Sequence, residues 1–429
     1  MRSIFPHARR SVLAAALLVV PGLVHAATER VSVASGGWQT TGRSGHPEFG
    51  AHGNIAVFSS TAPDLVPGDT NRVEDVFFRD LVNGLTYRIN LGPFGVEANG
   101  TSLKPVPSAD SSIISFQSRA SNLVPVDGNG AMDVFVRDII NGTTTRISNT
   151  WFGADADGPS SYAVVSADGR FVAFQSDATN IVANDLNRHT DVFVHDRATG
   201  LTSLVSGALD GQPGNGVSKY PTISADGRFV AFQSSAANLV ADDTNNRIDV
   251  FVRDLWTGLT ERVSLSALGA QGNSASGYPY LSGDGRFVVF VSGASTLIEG
   301  DTNRARDIYL YDRALRTIER VSVATGGAEA NGTSLAPEMS DDARFITFRS
   351  EASNLVADDT NGQSDVFLRD RWLGTTVRVS VGSEGQQGTD VAYQQTISGD
   401  GQVLIFSTMS PNLVPDDTNG TQDVFIWRP

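Results

Sequence analysis

Three oxygen-bearing side chains at fixed spacing, Asp-x-Asn-x-x-x-Asp, are the residues of this 429-residue chain best suited to do chemistry. In "ADDTNNRIDVFVRD" they are Asp243, Asn245 and Asp249, set just ahead of an alternating apolar run. Carboxylate and amide oxygens, with no nitrogen or sulfur donor among them, suit a hard cation such as Ca²⁺. The same pattern recurs as Asp69, Asn71 and Asp75, as Asp127, Asn129 and Asp133, and as Asp185, Asn187 and Asp191. It continues as Asp301, Asn303 and Asp307, as Asp359, Asn361 and Asp365, and as Asp417, Asn419 and Asp423.

Two readings of these loops stand side by side. "DDTNGQSD" (Asp358–Asp365) and "DDTNGTQD" (Asp416–Asp423) are similar to the latter part of acidic calcium loops, with Ala357 or Pro415 where the first Asp belongs. Three side chains fall short of the roughly 6–8 oxygens Ca²⁺ takes, so backbone carbonyls and water complete each site. Asp242, Asp358 and Asp416 add a further carboxylate in three of the loops. In the other reading, Asp and Asn bond back to nearby backbone N–H groups and fix turns without metal.

A catalytic constellation occurs once, and these loops occur seven times. Past the leader only His46, His52, His189 and His195 remain, none in a metal-ligand spacing, and the absence of Cys excludes thiol chemistry. No nucleophile elbow or phosphate loop stands out. Carboxylates are plentiful but no pair is singled out, so the chain reads as a non-enzyme, with a glycosidase or lyase as the alternative. The departures from the repeat are Trp38, Trp151, Phe152, Tyr162, Tyr278 and Tyr280, which read as candidate ligand-binding aromatics.

The elements that position these residues follow from the spacing. Every step between successive motifs is 58 residues, and Phe58, Phe116, Phe174, Phe232, Phe290, Phe348 and Phe406 keep the same register. Within one unit, Tyr220–Ser224, Phe229–Ser234, Asp249–Asp254 and Thr260–Leu265 read as four short strands, rich in β-branched and aromatic residues. "ADGR" and "LWTG" are tight turns on one face, so the long loops share the other. Seven four-stranded antiparallel units make an all-β, seven-bladed β-propeller. The fourth-strand sequence "ERVSVA" (Glu29–Ala34) precedes any complete unit, and the last unit stops after its third strand. The N-terminal strand is therefore expected to complete blade seven and close the ring. An arginine column, Arg30, Arg88, Arg146, Arg262, Arg320 and Arg378, interrupted by Leu204, is expected to pair with strand carboxylates such as Asp80 or Asp254.

"PTISADGRFVAFQS" (Pro221–Ser234) followed by "DVFVRD" (Asp249–Asp254) resembles the WD-repeat-like blades of TolB-type bacterial propellers. The resemblance spans essentially the whole chain after its leader. It departs from TolB itself, which carries six blades after an α/β domain, and so implies a periplasmic or secreted scaffold and no particular activity. Arg2, Arg9 and Arg10 before an apolar run to Val24 read as a signal peptide over residues 1–26, leaving 27–429 as the propeller. The net charge of −15, or −18 without those arginines, disfavours nucleic acid and anionic membranes. The expectation is an exported, monomeric, non-catalytic propeller without a membrane span. It binds a protein, peptide or glycan of the cell envelope through its long-loop face, with Ca²⁺ as a candidate cofactor.

Overall fold

The computed structural model describes residues 27–429, and the expected leader lies outside the described residues. Seven four-stranded antiparallel sheets form the seven blades of a propeller. Blade four shows the pattern, with strands Ser218–Ile223, Phe229–Ser234, Asp249–Asp254 and Thr260–Arg262 hydrogen-bonded in that order. The second and third strands lie where their alternating sequence put them. The fourth ends after Arg262, although Val263 still donates to the Val250 carbonyl, and an isolated bridge further on joins Leu265 and Gln271.

The ring closes through the N-terminal strand. Ala27–Arg30 pairs with Asp423–Arg428 in the register Ala27↔Arg428 to Arg30↔Phe425, giving blade seven its fourth strand. This joins the first described strand to the last and removes two open edges.

The blades pack through their repeated aromatics. Phe58, Phe116, Phe174, Phe232, Phe290, Phe348 and Phe406 are fully buried. Each lies against the aromatic of the neighbouring strand, Phe77 for Phe58 and Tyr309 for Phe290, with ring centroids 5.7–6.2 Å apart. One core cluster joins Ala173, Val192 and Val194 of blade three to Val230, Phe232 and Phe251 of blade four, so the column is inter-blade core. Because both faces of every sheet are covered this way, the columns between sheets stay apolar in every blade.

One strand departs from regular pairing. Each innermost strand carries an irregularity near its third residue, as between Lys219 and Thr222. At that residue His46, Lys104, Tyr162, Tyr220, Tyr278 and Ala336 adopt φ of 50–55°. A side chain with β carbon is strained in this left-handed region. The bulge turns these side chains toward the propeller axis. Gln117, Gln175 and Gln233, on the second strand of the preceding blade, accept the N–H of Tyr162, Tyr220 and Tyr278, each at 3.0 Å.

Candidate functional site

The Asp-x-Asn loops hold their own cation in six blades. Arg262 lies 2.9 Å from Asp243 and 3.7 Å from Asp249. Arg30, Arg88, Arg146, Arg320 and Arg378 stand in the same way against Asp417 and Asp423, Asp69 and Asp75, Asp127 and Asp133, Asp301 and Asp307, and Asp359 and Asp365. The expected pairing of this column with Asp80 or Asp254 is corrected: Asp254 bonds Arg228 instead, and Asp80 caps its own turn through Val82 and Asn83. The arginine at the end of the fourth strand points back across the sheet to the loop ahead of the third, which linear spacing conceals.

The Asn of each loop fixes the turn. Asn245 accepts the N–H of Arg247 at 2.9 Å and donates to Asp249 at 2.8 Å and to the Gly272 carbonyl at 3.3 Å. Asp249 also accepts the Ser264 hydroxyl at 2.5 Å, which ties the chain just past the fourth strand to the third. Asp242, Asp358 and Asp416, the extra carboxylates, stand at φ of 56–61°, a position taken by Gly68 and Gly300 in blades one and five. In six blades a guanidinium thus lies among the oxygens that were read either as cation ligands or as a metal-free turn. Asp69, Asp75 and Glu97 approach closely enough to share an ion, but Arg88 lies among them. Arg262→Leu should strand two buried carboxylates and cost about 3–5 kcal/mol of stability, read by urea unfolding. A loss below measurement error would show that the pair is dispensable.

The residues that occur once face the axial channel. At its mouth, toward the long loops, the bulge residues form a ring of His46, Lys104, Tyr162, Tyr220, Tyr278, Ala336 and Gln394. Two residues further along each strand lies a deeper ring of Glu48, Val106, Val164, Thr222, Tyr280, Glu338 and Thr396. The mouth section encloses about 300 Å³, the size of a small-ligand pocket. At the far end Ala51, Ala109, Ala167, Ala225, Gly283, Asp341 and Gly399 form a girdle of blade-to-blade backbone hydrogen bonds of 2.8–3.2 Å. A Cβ on Gly399 would come within 2.5 Å of the Asp341 carboxylate.

Charge is distributed unevenly around the two rings. Tyr162, Tyr220 and Tyr278 make an aromatic wall with successive centroids 4.7 and 4.6 Å apart, and the Lys104 ammonium lies 3.2 Å from the Tyr162 ring centroid. Burial pushes Lys104 down to about 8, and burial followed by the Lys104 charge holds His46 at about 4, so this imidazole is neutral at neutral pH. In the deeper ring the Glu48 and Glu338 carboxyls both approach the Thr396 hydroxyl. Burial pushes Glu48 up to about 7. Burial, and then the neighbouring Glu48 charge, push Glu338 well above the carboxylate range. One Glu338 oxygen has no hydrogen-bond partner, and Tyr280 beside it is likewise held in its neutral form by burial.

A raised carboxyl pKa makes the folded state bind its proton more tightly than the unfolded chain does. The stability this gives is present below the unfolded value near 4.5 and is lost as pH rises through about 7. Glu48→Gln should therefore raise the melting temperature at pH 8 and leave it nearly unchanged at pH 4. Equal shifts at both pH values would contradict the buried-acid account.

Of the candidate aromatics, Tyr162, Tyr278 and Tyr280 line the channel, whereas Trp38, Trp151 and Phe152 are exposed on the loops and do not border it. His46, Glu48, Lys104, Tyr220 and Glu338 were missed as site residues.

No family model matches the chain, and no curated protein matches it in sequence. Solved structures do share its architecture. An oligogalacturonate lyase in complex with manganese superposes with a TM-score of 0.53 at 13% identity, over 94% of this chain and 90% of that one. An acylaminoacyl peptidase superposes with a TM-score of 0.54 at 11% identity, over 90% of this chain and 51% of that one. The putative TolB from Agrobacterium tumefaciens gives a TM-score of 0.41 at 16% identity, over 70% of this chain and 89% of that one. The chain is a seven-bladed β-propeller. The expectation of a non-enzyme is corrected, because neighbours in fold include a lyase and a peptidase. Repetition does not exclude a site that occurs once, because the channel-facing positions carry different residues in different blades. Among the described residues no helix is long and apolar enough to cross a membrane.

Proposed function

We propose that this chain is a carbohydrate-active propeller enzyme that hydrolyses a glycosidic bond in its axial channel. The observation that carries the reading is the pair of buried, unequally acidic carboxyls, Glu48 and Glu338, at the foot of an aromatic wall. Glycoside hydrolysis needs two carboxyls in opposite protonation states. Glu338 keeps its proton at neutral pH and is the acid that gives it to the leaving glycosidic oxygen. Glu48, ionised above about pH 7, takes a proton from the water that bonds to the anomeric carbon as the carbon–oxygen bond breaks. Tyr162, Tyr220 and Tyr278 offer ring faces for a sugar, and Lys104 offers a cation for an acidic one.

The expected export from the cell fits a polysaccharide substrate, and Ca²⁺ has no part in this chemistry. A panel of neutral and uronic-acid oligosaccharides, with products weighed by mass spectrometry, tests the reading. Hydrolysis adds one water to the summed products. Unsaturated uronates of unchanged summed mass would instead show elimination, with Lys104 as the base. No cleavage of any member would leave the channel a binding site only and defeat the proposal.

A further inference from the structure

One of the seven Asp-x-Asn sockets lacks its arginine. In blade three the arginine column reads Leu204, and the loop position held by Glu97, Asp155 or Gln271 in other blades reads Pro213. Leu204 packs, half-buried, against the core between blades two and three, so it fills the arginine's stem and leaves its charge unreplaced. Asp185 and Asp191 remain, 1% and 0% exposed. Asp191 accepts the Ser206 hydroxyl and the Asn187 amide, each at 2.6 Å. Neither carboxylate oxygen of Asp185 has a well-formed hydrogen bond, although both are buried and the Asn187 N–H faces this carboxylate.

A buried, unpaired carboxylate is costly. Burial accordingly pushes both acids upward, Asp191 to about 7. The other six blades show what the socket accepts. In each, a guanidinium stands 2.9–3.4 Å from the first Asp and 3.4–3.7 Å from the last, through one nitrogen in five blades and through two of Arg30 in blade seven. The local sequence is otherwise kept. Asn187 still accepts the His189 N–H at 2.8 Å and donates to the Gly214 carbonyl at 2.9 Å, so the turn that shapes the socket is formed without the arginine.

We infer that blade three binds one hard divalent cation between Asp185 and Asp191, in the place where its six sister blades insert a guanidinium. Two carboxylates balance a divalent charge, and the donors are oxygen only, which favours Ca²⁺ over softer ions. Asn187 is not a ligand, because its amide group faces Asp191 and its carbonyl is used by the turn. Backbone carbonyls and water supply the remaining oxygens. The ion does for blade three what arginine does elsewhere, and takes no part in channel chemistry.

Calorimetric titration of the chain with Ca²⁺, beside thermal melting with and without chelator, tests this. The unaltered chain should take up one ion and melt higher with Ca²⁺ than with chelator. Leu204→Arg, which gives blade three the sister arrangement, should take up none and melt independently of chelator. Asp185→Asn should also take up none, and it carries the comparison if Leu204→Arg does not fold. No ion uptake by the unaltered chain would overturn the inference, as would equal uptake by Leu204→Arg or Asp185→Asn.

Discussion

Removal of residues 27–35 should abolish cooperative unfolding of the propeller or drive it to aggregate. The segment supplies far more than a fourth strand. It pairs with Asp423–Arg428 over the whole register from Ala27↔Arg428 to Arg30↔Phe425. Arg30 is the cation of the blade-seven socket, 3.1 Å from Asp417, and the Ser32 hydroxyl bonds Asp423 at 2.6 Å. Thr28 reaches the Val381 carbonyl at 2.6 Å, and Val31 is buried in the core between blades seven and one. Deletion therefore exposes a sheet edge, leaves two carboxylates without their cation and opens the core at one seam. A truncated chain that melts as cooperatively as the full one, at the same temperature, would contradict closure by this strand.

Glu338→Gln should reduce glycosidic cleavage by about 10²–10⁴-fold, the usual loss on removing a general acid. The amide keeps the shape of the side chain and cannot give up a proton to the leaving oxygen. The same change relieves a strongly disfavoured charge, so the variant should melt no lower than the parent at neutral pH, and higher in alkali. Lower activity with unchanged or greater stability separates a chemical role from a structural one. A variant that retains full activity would remove Glu338 from the mechanism.

The extent to which the sequence disclosed this molecule follows from packing. Columns such as Phe58 to Phe406 lie between sheets, so the same shape is required seven times and the 58-residue period stands out. The ring closure was legible for the same reason, because "ERVSVA" matches a strand that the last unit lacks. The channel was not legible, since Tyr220 and its counterparts sit at a bulge that breaks the alternation on which strand reading depends. A signal was nonetheless present. Positions 46, 104, 162, 220, 278, 336 and 394 carry His, Lys, three Tyr, Ala and Gln in an otherwise uniform repeat. Variation at one column of a closed ring marks the residues that packing does not constrain, and here these line the axis. The loop clusters left two readings open, a metal site and a metal-free turn. In five of them the arginine beside the carboxylates comes from a later strand of the same blade, as Arg88 does for Asp69 and Arg262 for Asp243, and in blade seven it is Arg30 of the N-terminal strand, so linear spacing hid it.

The pH dependence of kcat/KM for the hydrolysed oligosaccharide tests the central claim most directly, because it reports the essential acid and base of the free enzyme. The account predicts a rate that climbs to a plateau as Glu48 ionises near pH 7, and then holds into alkaline solution while Glu338 retains its proton. A maximum near pH 4, where both carboxyls are protonated, would contradict it.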